Sequence, residues 1–216
     1  PLKTLEVVNS EFTTFTGPVT TNTSVVLTET QNTIAFNGGL TTPTLTVEAE
    51  PFNLILRANV AVSDAVTLDN TGTLQLGGVA SDDMHFAGGL VATAPSALNV
   101  AGTIRSTDRP MVLGRSETTI TLVNDTEINS GAGSLRLASS VTAGQEPYVL
   151  RLLSTGPITI DGDLTSAGAL SLVGPVTFTG ASTITAPSMT FGGSVTAQGA
   201  LTIHGATIIN GGSVNS

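Results

Sequence analysis

Short apolar–polar–apolar triplets recur along this chain, and that rhythm restricts its fold more than any other feature. The clearest are Ile158-Thr159-Ile160, Leu170-Ser171-Leu172, Val176-Thr177-Phe178, Met189-Thr190-Phe191 and Leu201-Thr202-Ile203. In an extended segment the outer residues share one face and the central Thr or Ser takes the other. Gly, Ala, Pro, Ser and Asn separate the triplets and turn the chain. Weaker triplets begin at Leu164, Val195 and Thr207. Starts at 158, 164, 170 and 176 therefore fall six residues apart, as do 189, 195, 201 and 207. A short strand, a corner and another short strand, with no helix between, is the pattern of a β-solenoid.

Looser copies fill the earlier chain, among them Val25-Val26-Leu27, Leu54-Ile55-Leu56, Leu74-Gln75-Leu76, Ile120-Thr121-Leu122 and Leu135-Arg136-Leu137. Comparable strands at 98 and 120, 150 and 170, 170 and 189, and 176 and 195 lie 19 to 22 residues apart. That predicts coils of about 20 residues, on the order of ten of them, and a rod roughly 50 Å long at ~4.8 Å per stacked strand. Phe36-Asn37-Gly38-Gly39-Leu40 returns as Phe86-Ala87-Gly88-Gly89-Leu90 and again at Phe191-Gly192-Gly193, which reads as an internal repeat. Strands, not helices, follow these glycines, so they predict tight corners rather than phosphate loops.

The expected fold is all-β: one continuous solenoid over 1–216, a right-handed parallel β-helix in preference to a left-handed one. Six-residue spacing suits the left-handed form, but Thr or Ser stands where that repeat wants a small residue after each aliphatic. A β-sandwich would want strands of five to eight residues and an aromatic-bearing core. The closing Gly211-Gly212-Ser213-Val214-Asn215-Ser216 repeats Gly192-Gly193-Ser194-Val195 and predicts a fragment of a longer repeat protein.

Charged residues are only 11% of the chain and aromatics 4%, yet no apolar run approaches the ~18 residues of a spanning helix. Direct membrane insertion is not expected. With a net charge of −9 and seven scattered basic residues, the chain lacks the basic stripe that nucleic acid or an anionic membrane surface requires. Without cysteine there is no disulfide or thiolate–metal framework.

Candidate chemistry is sparse. Asp64 and Asp83 are 19 apart, close to one coil, and His85 lies two residues beyond Asp83 on the same strand face. Stacked on neighbouring rungs they would gather an acid, a base and a histidine in one patch, the equipment of a polysaccharide-cleaving enzyme. No Arg or Lys is expected nearby to hold an acidic sugar, so the reading preferred is a solvated acidic loop with an incidental histidine. Asp161-Gly162-Asp163 could open a calcium turn but lacks further oxygen ligands in sequence, which favours a polar corner. His204 is expected to face solvent at a corner, and one histidine per region is no metal site. The pairs Thr44–Thr46, Thr119–Thr121, Thr177–Thr179 and Thr183–Thr185 could order water on an ice-binding face. Their sequence spacing does not place them once per coil on a single face, and β-propensity explains them more simply. No catalytic, cofactor-binding or metal residue is assigned.

The strings Ile158 to Leu172, Val176 to Thr185 and Gly192 to Ile203 resemble the repeat regions of filamentous-haemagglutinin-like and autotransporter-type bacterial adhesins. The resemblance covers the second half well and the first half loosely. It implies a secreted or surface-anchored bacterial protein, folded as a right-handed β-helix and used as a stalk or adhesive surface. Neither the family's secretion-signal domain nor a membrane barrel is found, and no binding residue carries over. The expected function is structural or adhesive and not enzymatic, with a host-cell or neighbouring-cell glycan or protein as partner. The alternative is end-to-end self-assembly with further copies of itself into an extracellular fibre or sheath.

Overall fold

The computed structural model describes residues 1–28, 32–144, 146–210 and 214–215. Of the closing phrase singled out above, Gly211, Gly212, Ser213 and Ser216 lie outside the described residues, as does Gln145 in the loop before Tyr148. The described chain contains strands and turns and no helix. Every described strand pair is parallel. A β-sandwich, built from antiparallel neighbours, is thereby excluded. The fold is a β-solenoid of about ten coils.

Each coil visits three faces in turn. The first carries strands such as Asn53–Leu56 and Thr73–Leu76, the second Asn59–Val62 and Asp83–Phe86, the third Leu90–Ala92 and Met111–Leu113. Longer strands, including Ala97–Arg105, Thr119–Asn129 and Ser182–Phe191, bend through the corner and serve two faces. Six-residue spacing in the sequence therefore marks successive faces of one coil. Ile158 pairs Val176 on the third face, while Leu164 lies on the first and Leu170 on the second.

The coil repeat follows the expected registers. Leu98 pairs Ile120, Leu150 pairs Leu170, Leu170 pairs Met189 and Val176 pairs Val195. The repeat nonetheless stretches to 24 residues, as between Leu74 and Leu98 or Ile104 and Ile128. Corners absorb the difference: the loop at 77–82 widens one coil, and the neighbouring strands still stack in register. Because side-chain period in a strand is two, the alternation survives as long as the strands align.

The interior is one column of aliphatic side chains with Phe36, Phe52, Phe86, Phe178 and Phe191 fully buried among them. Phe15 stacks on Phe36 with ring centroids 4.7 Å apart. Leu170, Leu172, Val176, Phe178, Met189 and Phe191 point inward as expected. Leu201 and Ile203 do not share that burial: Ile203 is 36% exposed and Leu201 is only partly buried. Their strand, Leu201–Ile209, stacks on Ser182–Phe191, and no other described strand covers its outer edge.

The Phe–Gly–Gly phrase occupies two different corners. Phe36 closes a first-face strand and Leu40 opens the second face against Val60, whereas Phe86 closes a second-face strand and Leu90 opens the third against Val66. What recurs is the turn chemistry. Gly39 has φ +96° and Gly89 +104°, and a Cβ at Gly38 or Gly88 would collide with the backbone of the coil beneath.

Substituting charge for a column residue tests this packing. Leu172→Asp buries an unpaired carboxylate and is expected to cost more than about 4 kcal/mol, abolishing the cooperative thermal transition. Ile203→Asp is expected to shift the transition only slightly. Equal tolerance of both in a circular-dichroism melt would contradict the column.

Candidate functional site

Charge concentrates on the outward positions of the second face. Alternation directs Met84 and Phe86 inward and Asp83 and His85 outward, and one coil later Ile104 inward and Thr103 and Arg105 outward. The Arg105 guanidinium donates to both Asp83 carboxylate oxygens, from Nε and from Nη2, each at 2.8 Å. His85 Nε2 lies 2.9 Å from Thr107 Oγ1. Two coils on, Arg151 pairs with Glu127 at 3.2 Å in the file that begins with Asp83 and Thr103. The result is a strip of alternating sign along the rod axis.

The Arg105 hydrogen bonds hold the Asp83 carboxyl below its ordinary range against a smaller opposing effect of burial. Burial, followed by the nearby Arg105 charge, pushes His85 below the usual histidine value. Asp83 raises Arg105 in return, again chiefly through the hydrogen bonds. His85 therefore sits in the strip as a neutral ring near neutral pH.

The pairing of Asp64 with Asp83 fails. Asp83 stacks on Asn59, and Asp64 lies at the next corner, where its Oδ2 accepts from Thr44 Oγ1 at 2.6 Å. A loop that lengthens the coil to 24 residues displaces the expected 19-residue match. The expectation of no nearby cation also fails, because Arg105 is 22 residues from Asp83 and one coil away in space. Sequence separation by a full coil hid it; the signal available was Asp83 and Arg105 at outward positions about one repeat apart.

Asp161 and Asp163 serve as ties between coils. Asp161 accepts from Arg136 through Oδ2, with Nη2 at 2.6 Å and Nε at 2.8 Å, and from Thr179 through Oδ1 at 2.8 Å. Asp163 Oδ1 accepts the Thr183 amide at 2.7 Å. No cluster of three metal-ligating side chains occurs among the described residues. His204 is exposed on the last first-face strand beside Thr185.

A groove of about 410 Å³ follows the corner between the third and first faces, lined by Arg115, Ser116, Arg136, Ser139, Ser140 and Asp161. Arg115 is 3.6 Å from the exposed Glu117 and half-exposed itself. Guanidinium, carboxylate and hydroxyl groups along a shallow channel can hydrogen-bond a polar chain laid across several coils. Sequence reading missed this groove because its residues come from separate coils.

A scan against protein-family models matches no family to this chain, and searches of curated proteins and of solved structures find no match. No helix of the described residues is long and apolar enough to cross a membrane, which leaves β-barrels untouched.

Both shifts at Asp83 and His85 run downward, so on acidification the unfolded chain takes up protons before the folded one. Stability is expected to fall as pH drops below 6.5, where His85 ionises in the unfolded chain, and again below 3.8 until Asp83 is protonated in the fold. Arg105→Ala should raise the Asp83 pKa toward its ordinary value in an NMR titration. The pair is well exposed, so the cost at neutral pH is about 0.5 kcal/mol. An unmoved Asp83 titration would contradict the assigned cause.

Proposed function

We propose that this chain is a rigid structural segment of a secreted or cell-surface bacterial protein, a stalk that carries a polar binding surface. The observation that carries the reading is mechanical. Three parallel ladders run through about ten coils around one aliphatic column, so bending the rod anywhere strains backbone hydrogen bonds and core packing together. Side chains add ties between coils, among them Thr44 to Asp64, Arg105 to Asp83 and Thr179 to Asp161. The placement outside a bacterial cell rests on the resemblance of the second half to adhesin repeats.

The adhesive part belongs to the outward faces, where the second-face ion-pair strip and the Arg115–Arg136 groove offer polar contacts to a host-cell or neighbouring-cell glycan or protein. No catalysis is assigned: Asp83 is committed to Arg105, and Asp64 does not face it.

A second reading, end-to-end association of copies into a fibre, is favoured by the terminal coils. Phe12 and Leu2 are exposed at one end, with a hollow of about 510 Å³ lined by Leu5, Phe15, Pro18 and Val19. Ile208 and Ile209 are exposed at the other. Uncovered strand edges of this kind pair with further strands.

Small-angle scattering and negative-stain images of dilute protein are expected to show a rod roughly 50 Å long, and labelled protein is expected to be retained on cell or glycan arrays. A flexible, coil-like scattering profile would sink the stalk reading, and uniform failure to bind the arrays would remove the adhesive one. Filaments that grow with concentration would transfer the function to the end faces.

A further inference from the structure

The outward positions of the first face line up into two files of hydroxyl-bearing side chains. Thr121 pairs Thr142, and Thr165 pairs Thr185. Val141 pairs Leu164, which sets Thr142 beside Thr165. Thr121, Thr142, Thr165 and Thr185 therefore recur once per coil on four successive coils. Two residues earlier stand Thr119 and Thr183 on their strands and Ser140 and Asp163 immediately before theirs, with Thr202 beyond Thr183. The four threonine pairs read from the sequence divide between two faces, Thr44–Thr46 and Thr177–Thr179 on the third and Thr119–Thr121 and Thr183–Thr185 on the first, and Thr142 and Thr165, which belong to none of those pairs, join the first-face two across the coils between them. Their separations in sequence differ, and the corners between them absorb the difference.

Composition alone would not make this a site, since threonine is common on strands. Three observations go further. The hydroxyls of Thr119, Thr121, Thr165, Thr183, Thr185 and Thr202 make no hydrogen bond within the described protein and are left to water. The array carries one charge, Asp163, whose carboxylate is turned onto the Thr183 amide. From Thr119 to Thr185 it carries no aromatic ring on which a sugar could stack, and the second file ends on the next coil, where His204 stands beside Thr185. The second face holds Asp83, His85, Arg105, Glu127 and Arg151, and the third face has a shorter file, Thr159, Thr177 and Thr196, after Arg136.

We propose that this threonine face binds ice. The files repeat about every 4.8 Å along the rod and stand about 6.6 Å apart across each strand, twice the rise per residue. Rows of water oxygens in ice repeat on that same scale. Each threonine presents a methyl group and a hydroxyl side by side, and its β-branch restricts χ1. The stacked backbone fixes the spacing from coil to coil. Waters held on such a face are ordered before contact, so little further entropy is lost when they join a crystal. One weak contact per threonine suffices when many engage a solid surface at once.

The test is nanolitre osmometry with observation of crystal shape, on the whole chain at millimolar concentration. Wild-type protein is expected to facet growing ice and to open a gap between melting and freezing temperatures. Thr165→Tyr, at the centre of the array, should cut that gap several-fold. Ser171→Tyr, on the second face, should leave it unchanged. If Thr165→Tyr fails to fold by circular dichroism, Thr185→Lys reads the same file. Rounded crystals without a gap in wild type, or a gap that survives the array substitutions, overturn the proposal.

Discussion

The in-register stacking of one coil on the next is the interaction on which everything else in this molecule depends. No coil encloses a core alone: a ring of about 20 residues leaves its aliphatic side chains open above and below. Leu152 is buried because Ile128 lies beneath it and Leu172 above it, each in register. Where a described neighbour is missing on one side, as for Ile203, the same kind of residue stands exposed. Backbone pairing and side-chain burial are thus one cooperative term, because slipping a ladder by one residue would turn every buried aliphatic outward.

Corners are where that scheme is hardest to satisfy, since a turning backbone leaves carbonyl groups pointing into a dry interior. Small hydroxyl residues meet them. Ser130 and Ser154 both donate to the Gly133 carbonyl, at 2.8 and 2.7 Å, and Ser106 donates to Arg109 at 2.7 Å in the coil before. Thr21 donates to Thr42, which donates onward to the Thr44 carbonyl. Asn70 is fully buried and donates to the carbonyls of Phe52 and Thr73, while its own Oδ1 has no partner among the described residues. An orphan acceptor of that kind is a site for an internal water. Satisfied corners let coils vary in length without disturbing the strands on either side.

That tolerance explains how the surface is organised. Outward positions carry no packing constraint, so each face acquires its own chemistry: ion pairs on the second, a file of hydroxyls on the first. Ion pairs such as Arg105 with Asp83 lie across coils rather than along the chain. Exposed as they are, they contribute little to stability and more to the electrostatic pattern of the surface.

The sequence by itself determined the class of fold and much of its register. Alternation within each triplet sorts inward from outward residues through local geometry alone, and four coil-to-coil pairings could be read from the recurrence of strands. Leu170 through Phe191 were legible as core for that reason. Tertiary structure alone decided which outward residues become neighbours. Asp64 and Asp83 look one coil apart and are not, because a widened loop intervenes. Asp83 and Arg105, and the threonines at 121, 142, 165 and 185, are each about one repeat apart, as are many pairs that do not meet, and it is the stacking that sets these side by side. Local periodicity fixes the direction of a side chain, whereas its neighbours across coils depend on the summed length of every corner between them, which only the stacked backbone sets.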